Sequence, residues 1–248
     1  MTDFSSNDQC RLYGDLTWIW PVISPVEDYI EETRQIVRLI REHSMTEVKS
    51  LLDLGCGGGH YDYTLKEHFE VTGIDVSESM LSLARRLNPE AAYHYGDMRT
   101  LRLGKKFDAV MIADSINYML TERDLRAAFE TAYTHLEPGG VFWTFAEVTT
   151  ERFKQNRSTC STHEGKDVEI AYFENYYDPD TTDTNYEISL IYLIRRRGCH
   201  LELEMDRHLC GVFKLETWLG LLQDIGFEVE QSRFGPEACP MFVCLKPL

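Results

Sequence analysis

The sequence predicts an α/β protein with a doubly wound, mostly parallel seven-stranded sheet and an antiparallel β insertion. Residues 50–146 alternate short apolar stretches of strand length with amphipathic stretches of helix length, a pattern typical of parallel β-α units. After Glu147 the alternation stops, and strand-like stretches follow one another with only turn residues between them. In such a fold, ligands bind beyond the carboxyl ends of the parallel strands.

The individual elements follow from local signals. Ser24 and Pro25 are predicted as the N-cap and first residue of a helix that ends near residue 43. Ser77 and Thr121 are predicted to cap two later helices, and Gly226 to end the last one. Strands of the main sheet are predicted at residues 51–54, 71–74, 92–95, 107–113, 141–145, 227–230 and 241–245, and those of the insertion at 168–177, 184–194 and 199–205.

These elements define the expected domain organisation. Residues 1–147 and 213–248 form the main domain, and residues 148–212 form the insertion. The insertion and the N-terminal segment 13–21 are the parts of the chain free to cover the strand ends, so we expect a lid there. The insertion is expected to cap a substrate or to form a homodimer interface.

The bulk composition indicates a soluble protein. The chain has 248 residues and a net charge of −16, with no apolar run of the roughly 18 residues that a membrane helix needs. Residues 1–10 do not resemble a secretory signal, so a cytoplasmic location is predicted. The seven cysteines are scattered without a C-x-x-C pair, which predicts no metal site. The negative charge argues against nucleic-acid and membrane partners.

A glycine-rich loop directly follows the first strand, in the sequence Asp53-Leu54-Gly55-Cys56-Gly57-Gly58-Gly59. Glycine permits a tight turn and lets a ligand approach the backbone. Asp75 ends the next strand, where an acid in nucleotide-binding sheets accepts hydrogen bonds from ribose hydroxyls. Together these features predict a cofactor of the adenosine type. The alternative is an ordinary tight turn followed by a solvent-facing aspartate.

Two residues distinguish among such cofactors. His60 stands where the dinucleotide fingerprint requires its third glycine, which disfavours a nicotinamide dehydrogenase. Asp53 would repel a pyrophosphate but would attract an ammonium or sulfonium group. S-adenosylmethionine carries both cations and is therefore the predicted cofactor.

The order of motifs resembles class I S-adenosylmethionine-dependent methyltransferases, which have a Rossmann-like fold. The glycine loop and Asp75 are followed by Gly96-Asp97-Met98 and by Leu136-x-Pro138-Gly139-Gly140. The resemblance implies that Gly55 and Gly57 approach the methionyl part, that Asp75 binds the ribose, and that Asp97 and Met98 contact the adenine. The full predicted cofactor-binding set is Asp53, Gly55, Cys56, Gly57, Asp75, Val76, Met80, Asp97, Met98 and Ala113.

Over most of its length the chain is also similar to N-methyltransferases that dimethylate amino sugars of macrolide antibiotics. The similar stretches include Gly96-Asp97-Met98-Arg99, Ser115-Ile116-Asn117-Tyr118 and Gly226-Phe227-Glu228-Val229-Glu230. This resemblance implies that Tyr13 reaches the transferred methyl group and that Tyr118 follows strand four beside the acceptor. Asp114 and Asn117 depart from the family pattern there, so the acceptor is expected to differ. The alternative is that both tyrosines only pack the N-terminal segment on the sheet.

The predicted function is methyl transfer from S-adenosylmethionine to a small molecule, at an amine nitrogen. Tyr13, Tyr118 and Asp114 are the predicted catalytic residues. Two alternatives remain open at this stage. One is O-methylation of a small acid or hydroxyl, and the other is a cofactor-binding but inactive partner subunit.

Overall fold

The computed structural model describes residues 10–248, and the prediction about a secretory signal falls almost wholly on residues 1–9, outside the described residues. The α-helices are α1 (Trp20–Ile23), α2 (Ile30–His43), α3 (Asp62–Leu65), α4 (Glu78–Leu87), α5 (Glu122–His135) and α6 (Leu215–Ile225). The strands are β1 (Ser50–Leu54), β2 (Glu70–Asp75), β3 (Ala92–Tyr95), β4 (Phe107–Ile112), β5 (Leu136–Phe145), β6 (Arg157–Glu164), β7 (Val168–Tyr177), β8 (Asn185–Arg196), β9 (Glu202–Gly211), β10 (Glu228–Phe234) and β11 (Cys239–Leu245). Short 3-10 turns occupy Arg11–Tyr13, Thr17–Ile19, Val26–Tyr29 and Asp114–Tyr118.

The main sheet has seven strands in the order β10-β11-β5-β4-β1-β2-β3. Strands β1 to β5 pair in parallel, and β11 runs antiparallel to both of its neighbours. This confirms the predicted doubly wound sheet. The chain order reverses between β1 and β4, and ligands of such sheets bind at that switch point. The glycine loop follows β1, and Asp114 follows β4.

The second sheet is antiparallel, with the order β6-β7-β8-β9, and lies within the predicted insertion. Its first strand was not predicted, because Arg157–Glu164 is polar and mostly exposed, so it shows no alternation of apolar residues. The last strand runs over Glu202–Gly211 rather than residues 199–205. The N–H of Cys199 donates to the carbonyl of Arg196, so the predicted start of that strand is a turn.

The predicted helix caps are right in two cases and wrong in one. The Ser77 and Thr121 side chains accept the N–H groups of Met80 and Asp124. Ser24 does not cap a helix, because its hydroxyl pairs with the Tyr29 hydroxyl at 2.6 Å, and a 3-10 turn precedes α2. The polypeptide therefore enters α2 through a turn that also brings Tyr29 towards the strand ends.

The main sheet is buried on both faces. Helices α5 and α6 cover one face with Phe129 and Trp218, and α2 covers the other with Ile36 and Ile40. The N-terminal segment packs elsewhere, since its apolar side chains form a separate cluster with the insertion. That cluster contains Leu12, Leu16, Ile19, Ile170, Leu190, Tyr192 and Ile194. The predicted lid segment and the insertion therefore pack as one unit.

Residues 10–248 contain neither a membrane-spanning helix nor a cluster of metal ligands. None of the helices described there is long and apolar enough to cross a membrane. The same part of the chain contains no group of three or more metal-ligating side chains.

Candidate active site

The glycine loop adopts a conformation that only glycine takes easily. Gly55, Gly57 and Gly59 have φ values of 81°, 53° and 75°. A Cβ on Gly55 would collide with the Ser115 side chain and lie 2.8 Å from the Met98 methyl. A Cβ on Gly57 would meet only Met80, at 3.3 Å. The loop is thus packed against Ser115 and Met98 at Gly55, while its backbone at Gly57 stays open to a ligand.

Asp75 holds this loop in place from the end of β2. Its carboxylate accepts the backbone N–H of Gly57 at 2.9 Å and that of Ser77 at 2.8 Å. Burial raises the pKa of Asp75, and the N–H donors of Ser77 and Gly57 oppose that shift. A carboxylate has about four lone-pair positions, so two remain for ribose hydroxyls. Val76 beside it is exposed, and Met80 lies buried under the loop.

Asp53 lies at the end of β1, below the loop, and is 2% exposed. Its Oδ1 atom has no hydrogen-bond partner, and neither has Oδ1 of the buried Asp62. Burial raises the pKa of Asp53 well above its ordinary value, and the neighbouring Asp62 adds to the shift. An orphaned carboxyl oxygen in such a place is stabilised by a cation, which fits the ammonium group of the predicted cofactor.

Asp97 and Met98 follow β3 on the other side of the loop. Arg99 donates to Asp97 through Nε and Nη2, which lowers the pKa of Asp97. Met98 is buried against Gly55, and Ala113 is buried where β4 ends. The predicted cofactor residues therefore surround one region at the β1–β4 switch point. The open backbone at Gly57 and the orphaned Asp53 oxygen fit S-adenosylmethionine.

A cleft of about 360 Å³ opens beside this region, between the ends of β4 and β5 and the β10–β11 turn. Five carboxyl groups line it, and none of the described lining residues is lysine or arginine. The carboxyl groups belong to Asp28, Glu32, Asp114, Glu147 and Glu237. Arg157 pairs with Glu237 at 3.4 Å, and the other carboxylates of the cluster attract a positively charged ligand.

Asp114 is the predicted site residue that this cleft contains. Its side chain is exposed to the cleft. The surrounding protein desolvates the carboxyl group, and Glu147 and Glu32 add negative charge, so its pKa is raised to about 7. Glu147 is itself held by Asn117, whose amide donates to it at 2.9 Å. Glu32 accepts from the Tyr61 hydroxyl at 2.7 Å.

Tyr13 and Tyr118, which were both predicted as catalytic residues, are in contact with each other. The Tyr118 hydroxyl donates to the Tyr13 hydroxyl at 2.8 Å, and the two rings pack edge to face. The Tyr118 hydroxyl also contacts Nδ1 of His208 at 2.6 Å, and Nε2 of His208 lies 2.8 Å from Asp206. Asp206 and His208 come from β9 and were not predicted. The available signal was their spacing of two, which places both side chains on one face of a strand.

His60 fastens the N-terminal segment to the glycine loop. Its Nδ1 atom accepts from the Trp20 indole N–H at 3.2 Å, and its ring packs against Tyr29. Burial lowers the pKa of His60 to about 4, so the imidazole is neutral. The residue that breaks the dinucleotide fingerprint thus contacts the N-terminal segment at Trp20.

The fold and the glycine loop together define a methyltransferase-type site, and comparison with known proteins agrees. Residues 51–140 match the family model described as a methyltransferase domain. The chain is 42% identical over 223 residues to dTDP-3-amino-3,4,6-trideoxy-alpha-D-glucopyranose N,N-dimethyltransferase of Streptomyces venezuelae. The matched region covers 88% of this chain and 91% of that protein.

Two solved structures resemble the chain over most of its length. Streptomyces venezuelae DesVI matches with a TM-score of 0.84 and 28% identity, over 94% of this chain and 96% of the other. The S-adenosylmethionine-bound CalS10, an amino pentose methyltransferase from Micromonospora echinaspora, matches with a TM-score of 0.80 and 25% identity, over 88% and 91%. The chain belongs to the family of S-adenosylmethionine-dependent N-methyltransferases that includes these amino-sugar enzymes. It is an enzyme that transfers a methyl group from S-adenosylmethionine to a small molecule.

Proposed function

We propose that the enzyme methylates the amine nitrogen of an amino sugar bound in the cleft at Asp114. The observation that carries this proposal is the set of five carboxyl groups lining the cleft. The relative from Streptomyces venezuelae acts on a dTDP-linked amino sugar, which supports the same class of acceptor. A diphosphate would be repelled by these carboxylates, so the sugar ring enters the cleft while the nucleotide stays outside it.

The cofactor is assigned to the opposite side of the β1–β4 switch point. Bound S-adenosylmethionine supplies an electrophilic methyl group. The backbone of Gly55, Cys56 and Gly57 would receive its methionyl part, with Asp53 beneath, and Asp75 would hold its ribose. The remaining proposed contacts lie around the adenine and ribose, from Val76, Met80, Asp97, Met98 and Ala113.

The chain's contribution to the reaction is positioning and proton removal. The acceptor amine attacks only when neutral, and holding two reactants in line supplies most of the rate enhancement. Asp114 attracts the incoming ammonium and, with a pKa near 7, accepts a proton from it before methyl transfer, which leaves the amine neutral. Tyr13 and Tyr118 do not line the cleft, and we place their hydroxyls at the transferred methyl group, where the acceptor nitrogen approaches it and water is excluded.

Paired substrates test the nitrogen assignment. The purified enzyme is given S-adenosylmethionine with a dTDP-3-amino sugar or with its 3-hydroxyl counterpart, and S-adenosylhomocysteine formation is followed. We expect turnover of the amine alone. Turnover of the hydroxyl compound alone would establish the O-methylation alternative. Binding of S-adenosylmethionine without turnover of any acceptor would favour an inactive partner subunit.

We further propose that residues 148–212 act as a separate insertion that forms a homodimer. The outer face of β8 and β9 exposes a patch of paired apolar side chains, with Leu193 opposite Leu203 and Met205 beside them. Exposed apolar patches of this kind mark interaction sites. Leu203→Glu is expected to convert a dimer to a monomer in analytical ultracentrifugation, whereas a monomeric unmodified chain would refute the proposal.

The remaining proposals concern partners and location. A net charge of −16 supports the absence of a nucleic-acid partner, because such binding depends on clustered basic residues. A cytoplasmic location is proposed because the relative from Streptomyces venezuelae acts on a dTDP-linked sugar, which is a charged small molecule. A mobility-shift assay with DNA and RNA at low salt tests the first, and cell fractionation tests the second.

A further inference from the structure

A continuous chain of hydrogen bonds runs from the insertion to the two active-site tyrosines. Asp206 contacts His208 at 2.8 Å, His208 contacts Tyr118 at 2.6 Å, and Tyr118 contacts Tyr13 at 2.8 Å. Asp206 and His208 are 4% and 3% exposed. A buried Asp–His pair behind a hydroxyl is an arrangement that can move a proton.

Asp206 is held as a carboxylate and also fastens the N-terminal segment. It accepts the backbone N–H of Arg11 at 2.9 Å, of Leu12 at 2.7 Å and of Arg207 at 2.8 Å. Burial would raise the pKa of Asp206, but the contact with His208 and the backbone donors outweigh it and lower that pKa. The relay therefore depends on the packing of the N-terminal segment on β9, because Tyr13 belongs to that segment.

The protons in this chain can be counted. Tyr118 donates its one hydroxyl proton to Tyr13, so its oxygen accepts from Nδ1 of His208. Nε2 of His208 faces an ionised carboxylate and must also carry a proton. With both hydroxyls reversed, Tyr13 donates towards Tyr118, and Tyr118 donates to Nδ1 of His208 while Nε2 keeps its proton towards Asp206.

We propose that His208, oriented by Asp206, receives the proton that the acceptor nitrogen loses after methyl transfer. This rests on the proposed function in one respect, the position of that nitrogen beside Tyr13. The ammonium gives a proton to the Tyr13 oxygen, Tyr13 gives its own to Tyr118, and Tyr118 gives its own to Nδ1 of His208. One N–H bond of the ammonium breaks, one forms on His208, and both tyrosines end neutral.

The neighbouring titratable groups leave His208 as the acceptor in this chain. Burial raises the pKa of the Cys10 thiol to about 11 and that of Cys210 to about 12, so both stay protonated. Burial likewise raises the pKa of Tyr13 and Tyr118 well above the ordinary value, so neither forms a tyrosinate. His208 must then give this proton up to solvent before the next round.

The consequence is sharpest for a second methylation of the same nitrogen, which cannot begin until the first product has lost its proton. Single-turnover experiments with a dTDP-3-amino sugar measure both transfers. We expect His208→Asn and Tyr118→Phe to slow the second transfer about 10-fold or more, because proton transfer contributes about 10²–10⁴-fold to catalysis. Monomethylated product then accumulates, while affinity for S-adenosylhomocysteine is unchanged. A first-to-second rate ratio equal to that of the unmodified enzyme in both variants overturns the relay.

A measurement without substrate separates this proposal from the proposed function. ¹⁵N spectra of the histidine-labelled enzyme report the protonation of His208 directly. We expect a neutral His208 ring to carry its proton on Nε2, towards Asp206, and we expect Tyr118→Phe to move the Nδ1 signal. A neutral ring with its proton on Nδ1 refutes the relay, because Nδ1 could then accept nothing from Tyr118. If no amine is methylated although the spectra show this tautomer, the proposed acceptor is wrong; if an amine is methylated but the tautomer is the opposite one, the relay alone is wrong.

Discussion

Replacing Gly55 with alanine tests the cofactor loop at its most constrained point. Gly55 has a φ of 81°, and a side chain in the left-handed region costs about 1–2 kcal/mol. The added Cβ would also collide with Ser115 and crowd Met98. Overpacking of this kind costs a further amount of about 1–3 kcal/mol. We therefore expect Gly55→Ala to lower the free energy of unfolding by about 2–5 kcal/mol.

Gly104→Ala is the matched control. Gly104 also has a left-handed φ, of 65°, but no atom lies within 4 Å of its Cβ position, so only the backbone cost of about 1–2 kcal/mol applies. Urea denaturation measures both free energies of unfolding, and titration calorimetry measures affinity for S-adenosylhomocysteine. We expect weaker binding for Gly55→Ala alone. Equal stability and equal affinity of the two variants would show that the loop is not packed as described.

Three further outcomes follow from the site. Asp75→Asn should weaken S-adenosylhomocysteine binding by about 1.5–3 kcal/mol in calorimetry, because charge-assisted hydrogen bonds are lost. Unchanged affinity would show that Asp75 does not bind the ribose. Since the pKa of Asp114 in the free enzyme is about 7, kcat/KM should rise with pH through that value as the carboxylate forms, and Asp114→Asn should abolish this rise; a surviving rise assigns it to another group. Asn88 donates to the Gly59 carbonyl and the Tyr93 hydroxyl, so Asn88→Ala should lower the free energy of unfolding by about 1–3 kcal/mol in urea denaturation. An unchanged free energy of unfolding would contradict those hydrogen bonds.

The cofactor side of the molecule could be predicted from sequence because its signals are local. The glycine loop, Asp75 and the β-α alternation all lie within residues 50–146, and strand order follows from general rules of such folds. Asp53 shows the limit of this reasoning. Its position was foreseen, but its burial beside Asp62 was not, because the helix that carries Asp62 is placed by packing.

The acceptor side could not be predicted in full because it is built from distant parts of the chain. Glu32 and Glu147 reach one cleft from α2 and from the end of β5, and nothing in their local sequence links them. His208 meets Tyr118 only because the N-terminal segment and β9 pack together. The strand β6 was missed for a different reason, since its polar residues carry no periodic signal.

The position of the transferred methyl group in the product tests the central conclusion most directly. The enzyme is incubated with S-adenosylmethionine labelled with ¹³C in its methyl group and with a dTDP-3-amino sugar, and the product is examined by NMR. We expect the label on the sugar nitrogen, as one or two N-methyl groups. A label on oxygen, or no transfer although S-adenosylmethionine binds, would contradict N-methylation of an amino sugar.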